Sequence, residues 1–243
     1  MAVKPWIGAI REPDDHPPVD KSKPDTTYAL EYVYGYRCQD SRQNVYYNKD
    51  GNIVYMTAAV GVILDKASNT QTFFGGGEVD NESKQTANDE NHHTNDIMCL
   101  NINTTGGRNL ACSGQVGKNA PCFIWDSCTG EKIRRVKLPK NCREISACAI
   151  HPDGEYFATV DKSNDHWMRI YKGTTKVYEE KGGPDHVFDL AFSKDASKHV
   201  LWSAGVKHLV FWDPDADASR KKKKGIHGEK GPQTSHAAVT ADD

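Results

Sequence analysis

The sequence contains no run of 18 apolar residues, so it offers no segment long and apolar enough for a membrane-spanning helix. Its opening stretch, MAVKPWIGAIREPDD, lacks the apolar core of a secretory signal, and export is not expected. An excess of one charge is missing too. The 31 Lys and Arg residues nearly balance 33 Asp and Glu, for a formal net charge of −2. A general nucleic-acid binder is usually strongly basic, so no nucleic-acid partner is expected. The seven cysteines form no C-x-x-C pair, and several sit inside apolar runs such as IMCLNI and ISACAI. Their odd number and their settings predict buried, reduced thiols rather than a disulfide framework or a zinc cluster. The triple glycine at 75–77 is followed by no Gly-Lys-Ser/Thr and opens no helix, which excludes a phosphate loop. Finally, no amphipathic helix of ten or more residues can be traced, which removes the helical fold classes.

What the sequence does have is short β-branched and aromatic runs divided by Gly, Asn and Asp. NVYY, NIVYMTAAV, GVILD and TQTFF come first, followed by DIMCLNI, NLACSGQV, PCFIWDS and EKIRRVKL. EISACAI, YFATV, WMRIYK and KVYEE make a third set, and VFDLAFS, HVLWSAG and HLVFWDP a fourth that lacks a clear outermost strand after Asp213. Such runs predict hairpins and an all-β fold. FIWDSCTGE, RIYKGTTK and VFWDPDA occupy equivalent places, with Trp125, Tyr171 and Trp212 spaced 46 and 41 residues apart. A period of 40–45 residues with four strands per unit is the mark of β-propeller blades, and about four units fit. The aromatics at the repeat positions are expected to pack between blades. Residues 1–27 hold five of the eleven prolines and read as an extended N-terminal arm. Residues 214–243 are polar, carry the run RKKKK at 220–224, and read as a disordered tail.

The start of the strand region is more specific than a generic repeat. LEYVYGYR at 30–37, NVYY at 44–47 and IVYMTAAVGVILD at 53–65 resemble the hydrophobic HELP motif of echinoderm microtubule-associated protein-like proteins. SGQVGK at 113–118 leading into FIWDS, VDKSNDHWMRIY at 160–171 and AGVKHLVFW at 204–212 are similar to WD-repeat segments of the same family. The resemblance divides the chain into an arm (1–27), the HELP motif and first blade (28–74), an acidic insertion (75–95), WD-repeat blades (96–213) and the tail (214–243). It implies a partial propeller, because family members carry many more blades than about four. An incomplete array, an arc closed by a second chain, or an N-terminal arm that supplies the missing strand are the three ways to complete it. It also implies a non-enzymatic, microtubule-associated scaffold without a cofactor. Its partners would be tubulin and other cytoskeletal or axonemal proteins, and its home the cytoplasmic cytoskeleton, with a cilium or flagellum axoneme by analogy. The alternative is a WD-repeat interaction scaffold that makes no direct contact with tubulin. An enzyme of propeller architecture would need polar groups converging on a central channel, and none is evident.

Individual residues follow from these readings. Tyr32, Tyr34, Gly35, Tyr36 and Arg37 are expected to be structural, with the three tyrosines forming a hydrophobic core that joins blades. Trp125, Asp126, Trp212 and Asp213 are the structural residues of the repeats. His92, His93 and Asp96 hold metal-ligand types, but neighbouring side chains of an extended segment point to opposite faces, so His93 is expected to be a blade-entry histidine held by hydrogen bonds. Asp161, Ser163, Asn164, Asp165 and His166 include the types of a catalytic triad, yet they share one hairpin turn, where such residues bond the local backbone. No catalytic, cofactor or metal residue is expected. The acidic insertion carries Glu78, Asp80, Glu82, Asp89 and Glu90 against Lys84, a charge that would suit a basic protein. Candidate tubulin contacts are Arg134, Arg135 and Lys137 on a basic outer strand, and Arg220, Lys221, Lys222, Lys223 and Lys224 on the tail.

Overall fold

The computed structural model describes residues 11, 13–18, 20, 22, 26, 28–76, 91–117, 120–139 and 142–216, and the backbone of 222–224. The charged part of the acidic insertion, most of the arm, and Arg220 and Lys221 therefore lie outside the described residues.

Each set of apolar runs becomes one four-stranded antiparallel sheet with its strands in chain order. Blade 1 holds β1 (Val45–Tyr47), β2 (Ile53–Thr57), β3 (Val60–Asp65) and β4 (Thr70–Phe74). Blade 2 holds β5 (Ile97–Asn103), β6 (Leu110–Gln115), β7 (Cys122–Asp126) and β8 (Lys132–Val136). Blade 3 holds β9 (Ile145–Ile150), β10 (Tyr156–Asp161), β11 (Trp167–Lys172) and β12 (Thr175–Lys181). Blade 4 holds β13 (Val187–Phe192), β14 (Leu201–Gly205), β15 (His208–Trp212) and β16 (Lys222–Lys224). Asx chemistry makes the tight turns. Between β1 and β2, Asn48 Oδ1 accepts the amides of Asp50 (3.0 Å) and Asn52 (2.9 Å). The run NIVYMTAAV is not one strand, because Ala58 adopts a φ of 45° and turns the chain, so Val60 opens β3.

Blade 4 corrects two sequence readings. It does not lack an outer strand, and part of the expected disordered tail supplies it: Lys222, Lys223 and Lys224 pair with Trp212, Phe211 and Val210. The N-terminal arm is not needed for that role.

Apolar side chains from consecutive blades meet in three clusters. Val54, Met56, Phe74, Phe123 and Trp125 fill the seam of blades 1 and 2. Cys99, Cys112, Ile124, Ile145, Phe157 and Tyr171 fill that of blades 2 and 3. Ala149, Met168, Ile170, Leu190, Leu201 and Trp212 fill that of blades 3 and 4. Among the described residues no fourth apolar cluster joins blade 4 to blade 1, and the four sheets are blades of a partial propeller. The first strands of the blades pack on one another, β1 on β5, β5 on β9 and β9 on β13. A buried polar residue ties them together. Gln43, just before β1, donates to Asp189 Oδ1 (2.8 Å) and the Leu190 carbonyl (2.9 Å) of β13 and accepts the Cys148 amide (3.0 Å) of β9. Its own carbonyl accepts the Leu100 amide (2.9 Å) of β5. One glutamine thus satisfies groups on three other blades, the condition for burying an amide without loss.

Candidate partner-binding surfaces

The repeat aromatics are internal. Trp125 is fully buried, its ring stacked on Phe74 at 5.0 Å between centroids. Gly61 makes room for it, since a Cβ at that position would stand 2.9 Å from Trp125 Cζ2. Trp125 Nε1 donates to Ser113 Oγ (3.0 Å), and Ser113 Oγ also meets His93 Nε2 (2.7 Å). Trp212 repeats the contact with Ser203 Oγ (2.9 Å), which meets His208 Nε2 (2.8 Å). Asp126 caps the β7–β8 turn: its carboxylate accepts the amides of Cys128 (2.7 Å) and Thr129 (3.0 Å), and a short bond from Asn109. Asp213 is half-buried in the turn after β15, where its carbonyl accepts the Ala216 amide (3.2 Å).

His93 sits in a wholly internal polar set, with Nδ1 2.8 Å from Gln115 Oε1. Asp96 does not join it, and its carboxylate turns instead to Arg37 Nη1 (2.7 Å). Burial pushes the His93 imidazole down to about 4. The folded protein therefore holds His93 neutral where an unfolded chain would already be protonated. Its contribution to stability is complete above pH ~6.5 and is lost as pH falls toward 4. Urea melts at pH 7 and pH 5 should show a loss of about 2 kcal/mol that His93→Gln abolishes. An equal loss in that variant would assign the acid sensitivity elsewhere.

The lead-in segment behaves differently from its sequence reading. Tyr34 and Tyr36 are 87% and 57% exposed, so they do not form a core that joins blades. Tyr32 is half-buried, its ring 4.9 Å from Tyr34 and its hydroxyl bonded to Asn69 Oδ1 (3.2 Å). The segment is held by its backbone: Val33 exchanges bonds with the Gln71 side chain (2.7 and 3.0 Å), and the Arg37 amide donates to the Met56 carbonyl (3.0 Å). Gly35 has a φ of 84° with open space around its Cβ position, so backbone geometry, not crowding by the rings, selects glycine there. Arg37 clamps Asp40 (2.6 Å) and Asp96, joining the lead-in to the start of blade 2.

Enzyme-like groupings resolve into structure. Asp161 Oδ1 accepts the Ser163 hydroxyl (2.6 Å) and the amides of Ser163 and Trp167 (both 3.1 Å), while Oδ2 accepts Arg169 Nη1 (2.5 Å). His166 Nδ1 instead faces the Gly183 carbonyl (3.0 Å), so serine and histidine do not converge. This turn borders an open cavity of about 540 Å³ with Arg143, Lys162 and Trp167 on its walls. Five cysteines are buried thiols, and burial pushes Cys142 up to about 12, far from a reactive thiolate.

Among the candidate contacts, Arg134 and Arg135 lie half-buried on β8 and Lys137 is exposed just beyond it. β8 is the outer edge of blade 2 and β16 that of blade 4, with the mixed-charge β12 of blade 3 between them. Among the described residues the basic strands are thus two separate edges, β8 of blade 2 and β16 of blade 4. Sequence reasoning missed Gln43 and the His151–His199 pair, whose partners lie far away along the chain, and Arg169, whose partners Asp161 and Glu179 stand on the neighbouring strands.

Residues 23–62 match the HELP motif family. The chain is 49% identical over 246 residues to the ciliary WD repeat-containing protein ctxp80 of Euplotoides octocarinatus, a match covering 100% of this chain and 34% of the relative. It is 30% identical over 247 residues to echinoderm microtubule-associated protein-like 3 of Mus musculus, covering 94% of the chain and 26% of the relative. Echinoderm microtubule-associated protein-like 1 of Rattus norvegicus is 25% identical over 214 residues, covering 84% and 24%. The chain spans between about a quarter and a third of the length of these relatives. With a HELP motif that runs into the first of four tandem four-stranded blades, and relatives matched along 94% and 100% of it, the chain belongs to the echinoderm microtubule-associated protein-like family of WD-repeat proteins.

Proposed function

We propose that this chain is a non-enzymatic scaffold segment that docks on tubulin or on axonemal proteins at a microtubule. The observation that carries the reading is the pair of basic outer edges. β8 holds Lys132, Arg134 and Arg135 with Lys137 following, and β16 consists of three lysines. Edge strands rich in lysine resist pairing with another sheet, and they present positive charge to an acidic polymer. Relatives named as microtubule-associated and as ciliary support a cytoskeletal and ciliary setting. The same reading places further blades, or a second chain, over the outward face of blade 4. There Trp202 and Phe211 pair on the side of the sheet opposite Leu201, Val210 and Trp212.

The test is co-sedimentation with purified microtubules across a salt series. Charge reversal is preferable to truncation, because truncation would remove β16 itself. Lys222→Glu/Lys223→Glu/Lys224→Glu combined with Lys137→Glu is expected to weaken binding roughly tenfold at low ionic strength and less as salt rises. Wild-type protein that stays in the supernatant at every salt concentration would favour the WD-repeat scaffold without direct tubulin contact. Binding that the quadruple variant leaves unchanged would reject the two edges as the docking surface.

A further inference from the structure

The β9–β10 turn, His151-Pro152-Asp153-Gly154, meets the β13–β14 loop at the seam of blades 3 and 4. His151 is wholly buried, and both of its ring nitrogens face oxygen: Nε2 is 3.0 Å from the Lys198 carbonyl and Nδ1 is 3.0 Å from Asp153 Oδ1. A neutral imidazole has one proton. If Nε2 carries it and donates to Lys198, Nδ1 turns a lone pair toward a carboxylate oxygen. Two acceptors at that distance repel unless a cation lies with them, either a second ring proton or a metal ion. The Asp153 amide reaches Nδ1 only at 3.3 Å, which agrees with the same tautomer and offsets little of the repulsion. Asp153 Oδ1 also accepts the amides of Glu155 (2.7 Å) and Tyr156 (3.2 Å), which fix the carboxylate beside the ring.

A second imidazole stands beside the first. The His199 ring centroid is 5.0 Å from that of His151, and His199 Nδ1 is 2.8 Å from Asp215 Oδ2. One donor atom each from His151, Asp153 and His199 lies within 4.8 Å of the others. Each histidine therefore has one nitrogen bonded to an oxygen, a backbone carbonyl for His151 and a carboxylate for His199. That is the outer support a metal-ligating histidine takes to fix its tautomer and its orientation. A cavity of about 200 Å³ adjoins them, with Tyr156, Tyr178, His199 and Asp215 among its walls.

We propose that His151 Nδ1, the Asp153 carboxylate and His199 Nε2 form a Zn²⁺ site, completed by water from the adjoining cavity. Two imidazoles and one carboxylate suit zinc and not the oxygen-seeking Mg²⁺ or Ca²⁺. Asp215 is the positioning residue, orienting His199 through Nδ1. The ligands come from two blades, so the ion would fasten the β9–β10 turn of blade 3 to the β13–β14 loop of blade 4 and stabilise the folded chain by mass action.

The experiment uses the untagged full chain, stripped of metal by dialysis against a chelator. Zn²⁺ is then titrated in competition with a chromophoric chelator, with Mg²⁺ as control. One saturable zinc site is expected. His199→Ala should weaken it by about 100-fold and Asp215→Asn by about tenfold. Co²⁺ should give visible tetrahedral bands that His199→Ala removes. Asp153 also caps its own turn, so folding is checked on His199→Ala, whose metal-free melting temperature should equal that of the wild type while its zinc-induced rise disappears. Zinc bound equally by wild type and His199→Ala, no saturable zinc binding, or Mg²⁺ bound as well as Zn²⁺ would each overturn the proposal.

Discussion

Trp125→Ala is expected to destabilise the protein by about 3–5 kcal/mol, the range for emptying a buried indole site. The residue has 0% exposure, stacks on Phe74 and lies against the bare backbone of Gly61. Those contacts belong to two blades, so the cavity would open inside the seam rather than at its edge. The loss includes a hydrogen bond, because Trp125 Nε1 donates to Ser113 Oγ, which also holds His93. Little can collapse into the gap, since Gly61 has no side chain and Phe74 is fixed in β4. Trp125→Phe should cost less, because a ring remains on Phe74 and only the indole donor and part of the volume are lost. Trp167→Ala is the control: Trp167 is half-buried at the start of β11, outside all three clusters, and its loss should cost under about 1 kcal/mol. Urea denaturation followed by circular dichroism reads all three variants. A loss at Trp125 no larger than that at Trp167 would mean that the seam of blades 1 and 2 does not hold the partial propeller together.

The strands of the blades were legible because apolar residues and turn residues alternate at blade period. NVYY, TQTFF and YFATV became strands within a residue or so of their expected limits. β16 was not legible. A run of lysines has no apolar face, and what recruits it is the exposed backbone edge of β15, which the sequence does not display. Tyr34 and Tyr36 misled in the opposite direction: aromatics in a row suggest a core, but a segment held by backbone bonds to β2 and by the Gln71 side chain leaves their rings outside. Gln43 looks like an ordinary loop residue until the topology brings β9 and β13 to it, more than a hundred positions along the chain. Middle strands hide a further feature. In WMRIYK, Met168 and Ile170 enter the seam with blade 4 while Tyr171 enters the seam with blade 2, so both faces of β11 are covered. Alternation there does not separate inside from outside, and Arg169 between two apolar residues passes for a solvent-facing charge.

Arg169 is in fact buried, and Arg169→Ala is expected to destabilise the protein by about 3–5 kcal/mol. Its Nη1 lies 2.5 Å from Asp161 Oδ2 and its Nε 2.6 Å from Glu179 Oε1. Side-chain exposures of 5% for Arg169 and 2% for Asp161 exclude the solvent screening that makes surface pairs weak. Two effects oppose each other in such a pair. Forming it costs the desolvation of both ions, so the intact pair adds little. Breaking it leaves a nearly wholly buried carboxylate without its bonded counter-charge, and that is where the large penalty arises. Asp161 is also the residue on which the 163–167 turn is organised, through Ser163 and the Trp167 amide, so the unpaired charge would disturb the β10–β11 hairpin as well. These two effects separate in a double-mutant cycle. Asp161→Asn keeps an acceptor for the turn amides and removes the charge, while Arg169→Met keeps most of the packing volume. The combined Asp161→Asn/Arg169→Met variant is therefore expected to lie within about 2 kcal/mol of the wild type, well above Arg169→Ala alone. Urea midpoints for the wild type, the single variants and the double variant supply the cycle. A double variant as unstable as Arg169→Ala would assign the loss to packing and hydrogen-bond geometry, and the buried charge would no longer be its cause.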